Sequence, residues 1–384
     1  METVGFAFNP TAGVRIRGAG GSAMARPENR GHGMDGKLYS VQYLRGLAAF
    51  LVVIAHAAAH PLATPLAVQA RLGEFGVYLF FVISGFIMVA ISGLGTFAPL
   101  DFLKRRATRI VPLYWIFTTL AAALALFLPL LFKSTVFTWP HYILSMLFLP
   151  HEAPGRGGTS PILSLGWTLN YEVLYYLVFA VLCGVAARQR VIVLTVAFLA
   201  LYLFGALFRP SNPVLQFYTS HALLAFAAGA WVGLLHIDGR LAKLRRWAAY
   251  TVLAVGAAGA IVAFGLEQNP VETAPSFVGL LLTALALLVG GLHFERLLPR
   301  WNWLELMGDA SYATYLSHMF VIGGVVGLGS RLLPDGTVSY LGMVGTAVVL
   351  ATGLGLLVHL YMERPLLGLM RRRKPARSAL APAE

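Results

Sequence analysis

The stretch from Phe75 to Ser92 reads FGVYLFFVISGFIMVAIS and contains no charged side chain. An α-helix needs about 20 predominantly apolar residues to cross the hydrocarbon core of a bilayer. The stretch therefore predicts a membrane-spanning helix. The whole chain has the same character, since 58% of its 384 residues are hydrophobic and 12% are charged, about half the charged fraction of a soluble domain. This composition excludes a soluble globular enzyme.

Ten segments of comparable apolarity follow one another along the chain. An eleventh run, His141–Leu149, is too short to cross a bilayer and predicts an interfacial or re-entrant segment. Pro112 predicts that the third span starts just after it. The predicted fold class is an all-α polytopic integral membrane helical bundle, with about ten transmembrane helices plus the short segment. The predicted spans are Tyr43–His60, Phe75–Ser92, Leu113–Phe132, Trp167–Ala187, Val191–Phe208, Val214–His236, Trp247–Leu266, Ser276–His293, Ser311–Gly329 and Ser339–Tyr361.

Basic side chains indicate how these spans are oriented. Loops after even-numbered spans are rich in lysine and arginine, whereas loops after odd-numbered spans are poorer in cations and one contains Glu267 and Glu272. The positive-inside rule then places both termini in the cytoplasm. The net charge of +13 is explained by these loops, so no nucleic-acid partner is predicted. The basic residues after spans two, four, six, eight and ten are Lys104, Arg105, Arg106, Arg109, Arg188, Arg190, Arg240, Lys243, Arg245, Arg246, Arg296, Arg300, Arg371, Arg372, Arg373 and Lys374.

Both ends of the chain differ from the membrane region. Residues 1–36 are rich in Gly and Arg and lack a long apolar run, so they predict a disordered N-terminal tail. Met34 lies directly before the first span and is a candidate start for a shorter chain. Residues 37–370 form the predicted membrane domain, and residues 371–384 form a basic cytoplasmic tail. A single cysteine, Cys183, excludes a disulfide framework, and no metal site is predicted.

Ionisable side chains inside spans are costly and point to functional sites. In span one, the sequence YLRGLAAFLVVIAH places Arg45 and His56 on nearly the same helix face, about 16 Å apart along the axis. This predicts Arg45 at the cytoplasmic interface and His56 near mid-membrane. The structural alternatives are a snorkelling anchor for Arg45 and a helix-packing hydrogen bond for His56. His60 lies at the outer end of the span, with no further metal ligand evident.

Three more polar groups fall inside predicted spans. Ser84 lies beside Gly85 about halfway along span two, where a contact between small residues of two helices is the structural alternative. Glu172, about 7 Å below the outer edge of span four, needs a cationic or hydroxyl partner. His318 shares a helix face with Tyr315 in span nine, and packing alone is the alternative role for this histidine.

Cations collect between spans two and three in the sequence KRRATRIVPLYW. Arg106 and Arg109 are three residues apart, so they share a face if the stretch is helical. Paired guanidiniums bind phosphate oxygens in a bidentate manner, and ordinary positive-inside charge is the alternative. Near the end of span ten, Glu363 predicts an ion pair with Arg45 or Arg364.

These motifs, in this order, resemble those of the membrane-bound acyltransferase-3 family, most closely its exopolysaccharide-production O-acetyltransferase branch. The resemblance covers about residues 38–370. It implies a bacterial inner-membrane enzyme, surrounded by membrane lipids, that moves an acyl group, commonly acetyl, from cytoplasmic acyl-CoA to a hydroxyl of a glycan or lipid-linked oligosaccharide. Acetyl-CoA is then a co-substrate, and no tightly bound cofactor is expected. The matching pieces are YLRGLAAFLVVIAH, FFVISGFIM, RRATRIVPLYW, GWTLNYEVLYY, SYATYLSH and YMERP.

The resemblance and the chemistry of acyl transfer together predict roles for individual residues. His56 corresponds to the family's essential histidine and is expected to be the general base or a transient acyl carrier. Glu172 or His318 is expected to orient it, as a third group does in catalytic triads. Ser84, or nearby backbone N–H groups, is expected to stabilise the oxyanion. The residues expected to hold the CoA phosphates are Arg45, Arg105, Arg106 and Arg109.

Two positions depart from the family pattern, and other functions stay open. Gln42 stands where many members have Asp, and Ala225 stands where some relatives have Glu; if that Glu shapes the acceptor site, the acceptor differs here. The main alternative function is a transporter or flippase of a lipid-linked glycan, with a proton relay of intramembrane residues. A third alternative, a structural subunit of an export complex, ranks last because it does not require buried ionisable groups. The sequence does not indicate an oligomeric state.

Overall fold

The computed structural model describes residues 37–60, 67–128, 135–155, 158–266 and 273–372. Within these ranges ten helical segments are long and apolar enough to cross a membrane, and the described chain contains no β-strand, only one isolated bridge between Glu152 and Thr159. The predicted all-α polytopic membrane fold is therefore confirmed. The N-terminal tail, residues 373–384 and the acidic loop residues Glu267 and Glu272 lie outside the described residues.

The α-helices in chain order are α1 (Tyr39–Ala59), α2 (Ala67–Ser92), α3 (Pro99–Phe127), α4 (Trp139–Met146), α5 (Trp167–Val181), α6 (Ala187–Phe208), α7 (Pro213–Tyr218), α8 (Ala222–Ile237), α9 (Arg246–Ala260), α10 (Ala274–His293), α11 (Asn302–Asp309), α12 (Ser311–Leu332), α13 (Thr337–Val358) and α14 (Arg364–Arg372). Four crossing segments are composite, and the seventh, Arg246–Gly265, passes from α9 into a π-helical turn. The fourth, Ser164–Gly184, extends α5 by single 3-10 turns, and the sixth, Pro213–Ile237, contains α7 and α8. The tenth passes from α13 through a π-helical turn, His359–Glu363, into α14.

Helix α3 begins well before the predicted start of the third span. The extended residue Ala98 precedes it, Pro99 occupies its first turn and Asp101 adds a negative charge there, all of which favour a helix N-terminus. Pro112, expected to mark the start, lies inside the helix. The expected start at Leu113 was therefore wrong, and the nearby arginines belong to the first turns of a spanning helix rather than to a loop.

Two short helices lie outside the crossing segments. Helix α4 is eight residues long, about 12 Å by the helical rise, and the Thr138 side chain accepts a hydrogen bond from the backbone N–H of His141 at its start. It occupies the run predicted to be too short to cross. Helix α11 was not predicted. It packs closely on α1, because a Cβ placed on Gly308 would lie 2.2 Å from the carbonyl oxygen of Gln42.

The centre of the bundle is a close crossing of α2 and α8. A Cβ on Gly85 would lie 2.1 Å from the carbonyl oxygen of Phe226, and a Cβ on Gly229 would lie 2.0 Å from that of Val82. Only glycine fits such backbone contact. Helix packing therefore accounts for Gly85, whereas the neighbouring Ser84 stays available for the site.

The start of α1 is fixed by acidic side chains from the segment between α10 and α12. The Glu295 carboxylate accepts hydrogen bonds from the backbone N–H groups of Tyr39 (2.6 Å) and Ser40 (3.0 Å). Lys37 forms ion pairs with Glu305 and with Asp309 (3.1 Å). These contacts fix the position of the first turn of α1. We call the end of the bundle where α1 and α3 begin the arginine end.

Candidate active site

Two histidines from different helices meet inside the bundle. His56 lies in the last turn of α1 and His318 lies in the second turn of α12. Their ring centroids are 5.1 Å apart with an interplanar angle of 61°. His56 lies about 25 Å from the start of α1 by the helical rise, closer to the end of the helix than the predicted mid-span depth. The structure thus brings together the predicted essential histidine and one of its two proposed partners.

The hydrogen bonds of both rings define their tautomers. His56 Nδ1 lies 2.9 Å from the carbonyl oxygen of Val52, and His318 Nδ1 lies 3.2 Å from that of Thr314. A carbonyl oxygen only accepts, so each neutral ring donates through Nδ1 and carries its lone pair on Nε2. His318 is fully buried, and its Nε2 has no hydrogen-bond partner in the described chain. His56 is partly exposed, so its Nε2 is the accessible base of the pair.

Tyr315 closes one side of the histidine pair. Its ring centroid lies 6.0 Å from that of His318, and it is buried. The Tyr315 hydroxyl donates to the carbonyl oxygen of Leu165 (3.0 Å) and lies 2.8 Å from the Thr168 hydroxyl. These contacts hold α12 against the start of α5 and restrict the position of His318.

Arg45 lies on the same helix as His56 but near the arginine end. Its Nη2 donates to the Ser311 hydroxyl (2.9 Å), and its Nη1 donates to the Gln42 side-chain oxygen (3.3 Å). Gln42 thus provides a neutral acceptor to Arg45. Because neither partner neutralises the guanidinium, Arg45 keeps its positive charge available to an anionic ligand.

Arg106 and Arg109 join Arg45 in a group of three cations. Both are partly buried on α3, and neither forms a hydrogen bond or ion pair with the residues that the structure describes. Arg45 interacts electrostatically with Arg109, and Arg106 interacts with Glu172 and Arg109. Arg105 is exposed, because it lies about 100° away from Arg106 around the helix. The expected contribution of Arg105 to a shared phosphate site therefore lacks geometric support.

Glu172 belongs to a hydrogen-bond network beside these arginines. Its carboxylate accepts hydrogen bonds from the Ser84 hydroxyl (3.0 Å) and from the Tyr176 hydroxyl. Ser84 lies in the half of α2 nearer the arginine end, so Glu172 lies deeper in the bundle than its predicted position near one edge of span four. Glu172 makes no hydrogen bond to His56 in the described chain. Of the two residues expected to orient that histidine, His318 is adjacent and Glu172 is not.

A second acidic group at the arginine end is paired differently from expectation. Glu363 accepts a hydrogen bond from His359 Nδ1 (2.7 Å), and both side chains are buried. The predicted partners Arg45 and Arg364 form no ion pair with it within the described residues, although Glu363 still interacts electrostatically with Arg45. The π-helical turn that contains both members aligns them in a way that an ordinary helical pattern does not reveal.

Sequence reasoning missed two tyrosines of this region. Tyr176 donates to Glu172, and Tyr312 donates to the carbonyl oxygen of Ile110 (2.6 Å) on α3. Tyr312 thereby ties α12 to the helix that carries Arg109, with which it also interacts electrostatically. Both belong to the quoted motifs GWTLNYEVLYY and SYATYLSH, but an aromatic residue in a spanning helix gives no signal that separates packing from site formation.

The fold and this arrangement define an integral membrane protein with a polar site that extends through its helical bundle. The acyltransferase-3 family model, described as an acyltransferase domain, matches residues 38–359. The chain therefore belongs to this family, as its motifs predicted, and is a multi-pass membrane acyltransferase. It is similar to the exopolysaccharide production protein ExoZ of Rhizobium meliloti (strain 1021), with 36% identity over 306 residues that cover 79% of this chain and 92% of the relative. No solved structure matches the chain.

Proposed function

We propose that the protein transfers an acetyl group from acetyl-CoA to a hydroxyl of an exopolysaccharide or related envelope glycan. Family membership supports acyl transfer, and the similarity to ExoZ supports the glycan acceptor. One observation carries the proposal for the site: a pair of histidines with bare Nε2 atoms and a group of three arginines lie at different depths of one helical bundle. The first suits proton transfer, and the second suits an anionic donor.

The arginines are the proposed donor site. Arg106 and Arg109 carry unpaired guanidiniums on one face of α3, and Arg45 adds a third cation opposite them. Guanidiniums bind phosphate oxygens through charge-assisted, bidentate hydrogen bonds. The phosphates of acyl-CoA fit this group of donors. Glu172, which interacts electrostatically with Arg106, reduces the repulsion among the three cations when the donor is absent.

His56 is the proposed general base. Its Nε2 takes the proton of the acceptor hydroxyl while the hydroxyl oxygen attacks the thioester carbon. The carbon–sulfur bond then breaks, and the proton passes from Nε2 to the departing CoA sulfur, so that ester and free thiol are the products. His318 is the neighbour of His56. When His56 carries the proton, the Nε2 of His318 provides a second hydrogen-bond acceptor beside the His56 imidazolium. The Ser84 hydroxyl donates to Glu172, so its proposed role changes from oxyanion donor to support for Glu172.

The arginine end is proposed to face the cytoplasm of a bacterium, where acyl-CoA is present, with both termini on that side of the inner membrane. The alternation of basic loops supports this orientation. Reporter fusions after residue 374 and within residues 267–275 are expected to give opposite locations. The same location for both would contradict the topology.

The activity itself is tested in two steps. Glycan O-acetylation is compared in a deletion strain, in the strain complemented with the wild-type gene, and in the strain complemented with His56→Ala. We expect acetylation only with the wild-type gene. The purified protein is then incubated with labelled acetyl-CoA and acceptor glycan. Glycan that is exported less but acetylated normally in the deletion strain, together with no consumption of acetyl-CoA in vitro, would instead identify a transporter or flippase.

A further inference from the structure

Arg190 is a buried cation that neither the motifs nor the proposed chemistry uses. Its position after span four suggested an ordinary loop residue that sets topology. Instead, it lies in the first turn of α6, and its side chain is 0% exposed. The nearby Arg188 is exposed, as a topology-setting residue is expected to be. A fully buried guanidinium requires a structural reason, because an unpaired charge in this environment is costly.

Four of the five N–H donors of the Arg190 guanidinium bond to acceptors of the protein. Nε donates to the carbonyl oxygen of Leu182 (3.1 Å), and Nη1 donates to the Ser92 hydroxyl (3.1 Å). Nη2 donates to the carbonyl oxygens of Gly95 (2.7 Å) and Val185 (2.8 Å). One planar group thus joins the turn after α2 to the turn after α5. No ligand can bind these donors without displacing a protein acceptor.

Aromatic contacts continue from Arg190 to α3. The guanidinium carbon lies 4.6 Å from the ring centroid of Phe97, a distance typical of a cation–π contact. Phe97 packs on Phe102 with ring centroids 5.2 Å apart, and Phe102 lies edge-on to Tyr176 at 6.1 Å. Phe102 precedes Arg106 by four residues, so the two side chains lie on the same face of α3.

The turn between α2 and α3, which Arg190 contacts, determines where α3 begins. The segment between Ser92 and Pro99 is short, and its backbone is fixed by Arg190 at Gly95 and by a hydrogen bond from Phe97 N to the carbonyl oxygen of Cys183 (3.3 Å). A rotation or shift of this segment would rotate the first two turns of α3. Arg106 lies in the second turn, so the direction of its side chain depends on the contacts of Gly95 and Phe97 with Arg190 and Cys183.

We propose that Arg190 is a positioning residue for the acyl donor: it fixes the turn before α3 and thereby directs the Arg106–Arg109 pair into the site. The inference rests on the proposed function, since it assumes that this pair binds the donor phosphates. An arginine is required because a lysine ammonium cannot present donors in one plane to Leu182, Gly95 and Val185 together.

The test compares Arg190→Lys with the matched control Arg188→Lys, in purified protein reconstituted in lipid nanodiscs. Binding of labelled acetyl-CoA and steady-state kinetics are measured for both. For Arg190→Lys we expect the KM and Kd for acetyl-CoA to rise about tenfold or more, equivalent to at least about 1.4 kcal/mol. The kcat at saturating donor and the KM for the acceptor are expected to change less than about threefold. Arg188→Lys is expected to behave as the wild type.

A general loss of folding would lower the active fraction and therefore kcat, without a selective change in donor affinity. If Arg190→Lys does not fold, Phe97→Leu replaces it, because this change removes the cation–π contact nearest to α3 and keeps the hydrogen bonds and the contact with Phe179. A selective rise in the donor Kd is expected again. Unchanged donor affinity in the folded variant, with weakened affinity in Arg106→Ala, would overturn the role of Arg190. Unchanged donor affinity in Arg106→Ala and Arg109→Ala would instead overturn the proposed donor site.

Discussion

His56 and His318 face each other with ring centroids 5.1 Å apart, and each ring donates its Nδ1 proton to the carbonyl oxygen four residues earlier in its own helix. The same local hydrogen bond therefore selects the same tautomer twice. Two acceptor nitrogens remain in an interior where donors are scarce. The Nε2 atoms of this pair can accept a proton, which is the first requirement for activating a hydroxyl.

The change His56→Ala is expected to lower the rate of acyl transfer by about 10²- to 10⁴-fold, the usual contribution of a general base. Binding of acetyl-CoA should stay near the wild-type level, because the proposed phosphate site lies about 16 Å away along α1. Product formation by mass spectrometry and donor binding by equilibrium dialysis measure the two effects. His60→Ala is the matched control, since His60 is exposed after the end of α1. Wild-type acetylation by His56→Ala would contradict the assignment.

Replacement of His318 by alanine is expected to lower kcat by at least about tenfold with little change in donor affinity, because the second acceptor beside His56 is lost. Ser317→Ala is the control, since Ser317 is equally buried and its hydroxyl bonds only within α12. NMR of ¹⁵N-histidine-labelled protein provides an independent measurement. A neutral His318 ring protonated at Nε2 rather than Nδ1 would contradict the hydrogen bond from Nδ1 to the carbonyl oxygen of Thr314.

The variants Arg106→Ala and Arg109→Ala should each weaken acetyl-CoA binding by about 10- to 150-fold, as expected for the loss of a charge-assisted contact of about 1.5–3 kcal/mol. Acceptor affinity should change little. Arg105→Ala serves as control, because its side chain is exposed on another face of the same helix. Titration of each variant with labelled acetyl-CoA makes the comparison. Equal effects at all three positions would point to general electrostatic attraction rather than to a defined site.

Acid is expected to destabilise the segment between α3 and α5. His141 donates from Nδ1 to His151 Nε2 (2.6 Å), because His151 uses its own Nδ1 to donate to the carbonyl oxygen of Leu149 (2.7 Å). Burial, and then the neighbouring His151, lower the pKa of His141 to about 4, below the unfolded value of about 6.5. The unfolded chain therefore binds the proton first as pH falls.

The corresponding stability is present above about pH 6.5 and is lost as the pH falls towards 4, by up to about 3 kcal/mol. Thermal unfolding of the purified protein between pH 7.5 and 4.5 measures this dependence. In His141→Gln the loss on acidification should be smaller than in the wild type. An identical pH dependence in both proteins would show that this histidine does not contribute.

The crossing of α2 and α8 predicts a strong size limit at its glycines. Gly229→Val is expected to lower the thermal midpoint sharply or to prevent folding, since even a Cβ would overlap the Val82 carbonyl oxygen, and ordinary overpacking already costs about 1–3 kcal/mol. Gly323→Val is the control, because a Cβ at Gly323 meets nothing within 4 Å. Fluorescence-detected size exclusion after heating compares the two. Equal stability would contradict the backbone contact.

The sequence predicted the fold class and the number of spans because apolar length and basic loops are local signals. It placed the start of the third span wrongly. Proline is typical of the first turn of a helix, so Pro112 indicated a start there, but the helix begins at Pro99 and continues through Pro112. Helix α11 was not predicted, because its eight residues contain no apolar run long enough to span a membrane. Most other bounds of the spans differed by about one turn or less, as is usual for fraying helix ends. The start of the second span, at Val68 rather than Phe75, and the end of the tenth, at Met370 rather than Tyr361, differed by more.

The candidate site was predictable residue by residue but not as an arrangement. Spacing along α1 put Arg45 and His56 on one face, and this required only helical geometry. The partners of Glu172 could not be predicted, because they depend on how α2 and α5 pack. Arg190 is the clearest case: its charge and loop position fit the positive-inside pattern, and only the tertiary contacts distinguish it from the exposed Arg188.

The tenth crossing segment has a consequence for how the donor arrives. Its 34 residues extend about 51 Å by the helical rise, whereas the hydrocarbon core is about 30 Å thick. Helix α14 therefore extends beyond the apolar layer at the arginine end, and the basic sequence from Arg371 to Lys374 starts at the last two residues of this helix. A positive field there raises the rate of encounter with a polyanion and weakens as ionic strength rises. We expect salt to slow the association of acyl-CoA more than it speeds its release.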